Sequence, residues 1–184
     1  INDDIAPVLD PAPADLNVAC YADVPVATDL NWTDNCDGVG SVGVVEVSSG
    51  TTCPEILTRT WTYTDGCGNT ATETQLITIN DDIAPVLDAA PANLSVQCDS
   101  DVPAIVSLNW TDNCDGSGSV AGSEVSDGMS CPETITRTWT YTDGCGNTAT
   151  RTQTIVINDI TAPTASPLPT VQTVALPAPD VSLI

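Results

Sequence analysis

The sequence contains no histidine, no lysine and no phenylalanine, and its only cationic side chains are three arginines. With a formal net charge of −22 at pH 7, it lacks the basic surface that nucleic-acid phosphates and anionic membranes require, so we expect neither as a partner. Without histidine, histidine-based catalysis is excluded too. Ordinary zinc sites would then need cysteine ligands alone, and no CxxC spacing is present. We therefore expect no enzyme. The many aspartates favour divalent cations instead.

Long apolar runs are also absent, so the sequence predicts no membrane-spanning segment. It shows no signal peptide and no initiating methionine, which indicates a mature or excised segment. Helical periodicity is nearly missing, since Leu, Ala and Glu never recur at helical spacing, while Thr, Val, Pro, Gly and Asp dominate. We therefore expect an all-β protein.

One stretch, Arg59 to Thr72, returns without a change as Arg137 to Thr150. Its first half alternates threonine with Trp61 and Tyr63, a pattern typical of a half-buried strand. The segment Asp-Gly-Cys-Gly-Asn that follows is turn chemistry, because Gly and Asn accept positive φ. Each copy therefore predicts a β-hairpin.

The whole first unit repeats at an offset of 78 residues, with no insertion or deletion. This period indicates two tandem immunoglobulin-like β-sandwiches at residues 1–78 and 79–156. Residues 157–184 are a partial third repeat or a proline-rich tail. We expect Trp32 and Trp61 in the first core, and Arg59 paired with an acid such as Glu46. The predicted strands of the first unit are Ala6–Leu9, Leu16–Cys20, Asp29–Thr33, Gly40–Val47, Ile56–Thr64 and Thr70–Ile79.

The eight cysteines, four per repeat at identical spacing, indicate disulfides in an oxidising compartment. Strand directions place Cys20 and Cys53 at one end of the sandwich, and Cys36 and Cys67 at the other. Four cysteines allow three pairings, and this topology favours pairing within each end. The predicted disulfides are Cys20–Cys53, Cys36–Cys67, Cys98–Cys131 and Cys114–Cys145.

The same topology gathers acidic side chains from three distant segments at one end of each repeat. Like charges this close repel unless a cation bridges them, and calcium prefers six to eight oxygen ligands in flexible geometry. The alternative is that these side chains only cap their own turns. The candidate Ca²⁺ ligands are Asp3, Asp4, Asp34, Asp37, Asp65 and Asn69, and Asp81, Asp82, Asp112, Asp115, Asp143 and Asn147.

The Asp-Asp-Ile-Ala-Pro entry, the Thr-Asp-Asn-Cys-Asp-Gly loop and the Thr-Arg-Thr-Trp-Thr-Tyr-Thr-Asp-Gly-Cys-Gly-Asn hairpin occur in both copies. Together they resemble the HYR-like, immunoglobulin-type tandem repeats of large secreted surface proteins in Bacteroidota-type bacteria. The resemblance implies an extracellular stalk or adhesin module, with calcium at the junctions. In the third copy Ile160 stands where Asp4 and Asp82 stood.

The tail contains an apolar segment that is too short to form a sandwich alone. Such a strand pairs with an exposed sheet edge, either of its own repeat or of a neighbouring copy, unless the chain continues into a third domain. Donation to a neighbour would build a head-to-tail filament. The segment that would be donated is Thr170, Val171, Gln172, Thr173, Val174, Ala175 and Leu176.

Two functions follow from these patterns. The first is a disulfide-stapled, calcium-braced rod in an extracellular fibre or surface stalk, whose partners are copies of itself or neighbouring repeats. The alternative is an adhesin module that binds glycan or another cell surface. Differences between the copies are scattered, for example Tyr21 against Asp99 and Glu73 against Arg151, which favours the structural role.

Overall fold

Two β-sandwiches follow one another along the chain, and the computed structural model describes residues 3–166. Each repeat has one three-stranded and one four-stranded sheet, which confirms the predicted all-β fold. Within the described range the helical elements are two single 3-10 turns, Tyr21–Asp23 and Asp99–Asp101. The strands are β1 Val8–Leu9, β2 Leu16–Val18, β3 Leu30–Asp34, β4 Gly38–Val42, β5 Val45–Ser48, β6 Glu55–Thr64, β7 Thr70–Ile79, β8 Val86–Leu87, β9 Leu94–Val96, β10 Leu108–Asp112, β11 Gly116–Val120, β12 Ser123–Ser126, β13 Glu133–Thr142 and β14 Thr148–Ile157.

The long hairpin of β6 and β7 is the centre of the first repeat. Its register runs from Glu55 opposite Ile79 to Thr64 opposite Thr70. The four-stranded sheet has the order β2-β7-β6-β5, and the other sheet has the order β1-β3-β4. Because β2 is parallel to β7, and β1 is antiparallel to β3, the strands run in the predicted directions. The second repeat has the same two sheets.

The single strand predicted over Gly40–Val47 is wrong, because this segment forms two strands in different sheets. Strand β4 pairs with β3, whereas β5 pairs with β6. The chain crosses between the sheets at Gly43 and Val44, and Val44 packs against the core there. Alternation of apolar residues cannot reveal such a crossing, since both halves keep the spacing of a strand.

Tryptophans fill each small core, as predicted. The Trp61 and Trp139 side chains are fully buried. Trp32 stacks on Tyr63 with ring centroids 3.7 Å apart. Beside this core the buried Arg59 donates from Nε to Glu46 Oε2 at 2.8 Å, which confirms the predicted ion pair. The guanidinium also donates to Pro25 O at 2.7 Å, so its burial is offset by directed partners.

The predicted disulfide pairing is wrong. Cys20 pairs with Cys114 and Cys53 pairs with Cys145, each with a Cα–Cα distance of 5.2 Å, so both bonds cross from one repeat to the other. The predicted Cys20–Cys53 and Cys114–Cys145 bonds are therefore absent. Cys36, Cys67, Cys98 and Cys131 are free and exposed, so neither Cys36–Cys67 nor Cys98–Cys131 forms. The physical reason is end-to-end stacking, which brings two cysteines of each repeat against two of its neighbour.

No helix within residues 3–166 has the length and apolar character needed to cross a membrane. The predicted donated strand, Thr170–Leu176, lies outside the described residues.

Candidate metal centre and inter-repeat joint

Three aspartates from distant segments meet at one end of each repeat. We call this end, which holds the turn of the long hairpin, the upper end, and the opposite end the lower end. In the first repeat these are Asp3, Asp34 and Asp65, and each offers a carboxylate oxygen within 4.8 Å of the others. The second repeat gathers Asp81, Asp112 and Asp143 in the same way. Sequence topology predicted this convergence, although it included more residues than the structure brings together.

Asp34 is the last residue of β3, and the loop that follows wraps around its side chain. Its Oδ1 accepts hydrogen bonds from the backbone N–H groups of Cys36 and Asp37, both at 2.8 Å. Its Oδ2 is buried and has no hydrogen-bond partner, and the same is true of Asp112 Oδ2. A buried carboxylate oxygen without a partner has lost its hydration uncompensated, and a bound cation would compensate that loss.

Asp65 opens the hairpin turn and is buried there. Its Oδ2 accepts from Asn69 Nδ2 at 2.7 Å, and its Oδ1 accepts from the N–H groups of Cys67 and Asn69 at 2.9 and 2.8 Å. The Asn69 side chain, followed by these backbone amides, lowers the pKa of Asp65. In the second copy, burial raises the pKa of Asp143, but the Asn147 side chain and the backbone amides outweigh it and the pKa is lowered. These carboxylates are therefore ionised at neutral pH.

Asp3 enters from the segment that precedes β1. Its Oδ1 accepts from Asn35 Nδ2 and from the Ile5 N–H, both at 3.1 Å, and these bonds lower the pKa of Asp3. Asn69 Nδ2 donates to the Asp3 carbonyl at 3.0 Å. Asn35 and Asn69 therefore connect the three segments, and the Asp3 carbonyl oxygen shares the Asn69 side-chain donor with Asp65 Oδ2.

The charge at each group is not balanced by a nearby cation. Among the described residues, the ion pairs are Arg59 with Glu46 and Arg137 with Glu124, in the sheets rather than at the upper ends. Three carboxylates, one of which has a buried oxygen without a hydrogen-bond partner, form a hard-oxygen donor set. The donor set fits calcium.

Two other pairs of predicted ligands do not belong to these groups. Asp37 Oδ2 accepts from Tyr63 O–H at 3.0 Å and from the Gly66 N–H at 2.9 Å, so this side chain holds the hairpin turn. Asp115 accepts from Tyr141 and Gly144 in the same way. The part that the tyrosines play here was not predicted from the sequence. Their alternation with Trp61 and Trp139 showed only that they lie on the core side. Asp4 and Asp82 are exposed and lie outside both groups.

The second aspartate group lies at the joint, defined here as the contact between the lower end of repeat 1 and the upper end of repeat 2. A cavity of about 320 Å³ at the joint is lined by all four bonded cysteines and by Asp81. Asp81 belongs to the linker and is buried, while Asn113 Nδ2 donates to its Oδ1 at 3.0 Å. The linker, the two disulfides and the acidic group therefore form one structural unit.

The family model described as the HYR-like domain with four cysteines matches residues 8–79 and again residues 86–157. No curated protein matches the chain.

Proposed function

Because the chain belongs to the family of HYR-like domains with four cysteines, in two tandem copies, we propose that it is a rigid rod segment of an extracellular fibre or surface stalk. HYR-like repeats are a structural, non-catalytic type of domain, and their disulfides indicate an extracellular location. The pair of disulfides that crosses the joint carries the proposal.

Two bridges restrain the joint more completely than one would. The repeats are attached through the peptide linker, through Cys20–Cys114 and through Cys53–Cys145. A single bridge leaves a hinge axis between the bridge and the linker. The second bridge adds a third attachment between the repeats, which restricts bending and twisting about that axis. A rod that transmits force or holds a fixed spacing requires this restraint.

We further propose that Ca²⁺ binds both aspartate groups. Asp81, Asp112 and Asp143 would hold the ion at the joint, and Asp3, Asp34 and Asp65 would hold its counterpart. The buried, unpartnered oxygens of Asp34 and Asp112 support this proposal. Calcium fits better than magnesium, which keeps several waters and demands a near-ideal octahedron. The ion would supply the missing positive charge and fasten the linker to two loops of repeat 2.

The adhesin alternative draws no support from the threonine rows of the hairpin. Thr62 and Thr72 hydrogen-bond to each other at 3.1 Å, and Thr64 and Thr70 do so at 2.8 Å. Hydroxyls that are paired across strands are less available to a sugar. Reproducible binding of the oxidised chain to a glycan array would favour the adhesin function instead.

Small-angle X-ray scattering tests the rod. In chelator, we expect the oxidised chain to scatter as one elongated rigid particle, and the reduced chain as two bodies with a variable angle. The matched control is Cys36→Ser with Cys67→Ser, which removes two cysteines but leaves the joint intact. If the oxidised and reduced chains give the same flexible profile, the disulfides do not brace the joint and the proposed function is wrong.

A further inference from the structure

The four free cysteines lie at the two outer ends of the molecule, two at each end. Cys36 and Cys67 occupy the upper end of repeat 1, at the positions that Cys114 and Cys145 hold in repeat 2. Cys98 and Cys131 occupy the lower end of repeat 2, where Cys20 and Cys53 lie in repeat 1. Each outer end therefore presents a pair of free cysteines that is equivalent to one of the two bonded pairs at the joint.

The free upper end already has the geometry of the bonded one. The Cys36 N–H donates to Asp34 Oδ1 at 2.8 Å, and the Cys114 N–H donates to Asp112 Oδ1 at 2.9 Å. The hairpin turn is the same in both copies, since Gly68 and Gly146 have φ of 97° and 93°. Asn35 donates to Cys36 Sγ at 3.1 Å, as Asn113 does to Cys114 Sγ at 2.9 Å. The cysteine loops are preformed and need no rearrangement before a bond forms.

The free lower end also has the conformation of the joint. Cys98 and Cys20 precede equivalent 3-10 turns and have similar backbone angles, with φ of −128° and −115°. The segment after β14 begins like the linker, because the Thr161 N–H donates to Asp159 Oδ1 at 2.8 Å, and the Ile83 N–H donates to Asp81 Oδ1 at 3.1 Å. Asp159 thus has the position after repeat 2 that Asp81 has after repeat 1, where it would be the linker residue of a third aspartate group.

We propose that each outer end binds the complementary end of a neighbouring HYR-like repeat and is cross-linked to it by two disulfides. Cys98 would bond to the neighbour's equivalent of Cys36, and Cys131 to its equivalent of Cys67, as Cys20 and Cys53 bond to Cys114 and Cys145. Each bond converts two thiols into one disulfide. The two protons and two electrons pass to an external disulfide oxidant, which becomes two thiols. We infer this on the basis of the proposed function, because it extends one braced joint into a continuous rod.

The test joins residues 1–156 directly to a second copy of the whole chain, which repeats the natural spacing of 78 residues at the new junction. The protein is oxidised in a glutathione redox buffer, and its disulfides are mapped by mass spectrometry of non-reduced peptides. We expect Cys98 linked to Cys36 of the second copy, and Cys131 linked to Cys67 of the second copy. In parallel, the unfused chain is oxidised at high concentration. If the unfused chain forms a ladder of oligomers with the same two cross-links, a separate chain can be the neighbour. If the bonds form in the fused protein alone, the neighbour is the next repeat of the same polypeptide.

Bonds within an end, Cys36–Cys67 or Cys98–Cys131, would overturn the inference, as would free thiols at the new junction. The original joint is an internal control in the same map. If Cys20–Cys114 and Cys53–Cys145 are found while the new junction fails, the proposed function stands and this inference does not. If the original bonds are missing as well, both are wrong.

Discussion

The crossing of the joint by Cys20–Cys114 has a measurable energetic consequence. The bond closes a loop with a sequence separation of 94 residues, for which chain entropy gives about 4.7 kcal/mol of stabilisation. If repeat 2 unfolds while repeat 1 stays folded, the closed loop runs from the end of β7 to Cys114. That loop has about 35 residues, and its closure is worth about 3.8 kcal/mol. Removal of the bond is therefore expected to cost about 4 kcal/mol in either case, or on the order of 10 °C in melting temperature.

A double-mutant cycle identifies which cysteine is the partner. The variants are Cys20→Ser, Cys114→Ser and their combination, with free thiols alkylated after folding. We expect each single variant to lose as much free energy of unfolding as the double variant, because either change removes the same bond. Cys20→Ser with Cys53→Ser should instead lose more than either alone, since two different bonds are removed. Denaturant unfolding monitored by tryptophan fluorescence supplies the free energies.

The opposite coupling would contradict a bond that crosses the joint. If Cys20→Ser and Cys53→Ser each cost as much as their combination, the bond lies within repeat 1 and the joint is not stapled. The Cys36→Ser variant is the matched control, since this thiol is free and exposed. We expect it to leave the free energy of unfolding of this chain nearly unchanged.

Three further predictions concern the metal, the core and pH. Millimolar calcium should raise the melting temperature, whereas magnesium should not. The Asp112→Asn variant should lose much of the rise that calcium gives, while the control Asp99→Asn, at an exposed position, should keep it. An equal rise in both variants would contradict the proposed calcium site. Gly118→Ala should cost about 1–3 kcal/mol in denaturant unfolding, because its Cβ would lie 2.7 Å from Trp110 Cζ2. Gly43→Ala is its control and should be tolerated, since that Cβ meets its nearest atom at 3.7 Å. The Met129 N–H lowers the pKa of Asp127 from its ordinary value. Asp127→Asn should therefore be less stable than the native chain at pH 7, and equal to it once acid has protonated Asp127. A stability difference that grows in acid would contradict this prediction.

The hairpin and its surroundings could be predicted because the causes are local. Alternation of threonine with Trp61 and Tyr63 defines one buried face, and the Asp-Gly-Cys-Gly-Asn turn fixes the hairpin's end. Strand β7 has the bounds that the pattern predicted, Thr70–Ile79. The pairing of Arg59 with Glu46 followed from its core-side phase, since a buried guanidinium needs an acid. The aspartate groups followed from strand direction, which assigns each loop to an end.

The side-chain roles within the upper end could not be read in this way. Asp34 and Asp37 are three residues apart in one loop, and both are aspartates at a strand end. One keeps a buried oxygen without a partner, while the other is occupied by Tyr63 and Gly66. The difference depends on where the hairpin turn packs, and no periodicity within the loop records it.

Residue types and their spacing were enough to predict the repeat, the two sandwiches, the end at which each cysteine lies and the acidic character of the upper ends. Each of these depends on residue type, spacing and strand direction within one repeat. The bond from Cys20 to Cys114 rather than to Cys53 depends on the way the two repeats pack together. A disulfide needs Cα atoms about 5–6 Å apart, and that condition depends on how one rigid sandwich stacks on the next. Both partners recur in every copy, so a pattern within one repeat cannot distinguish a bond inside it from a bond to its neighbour.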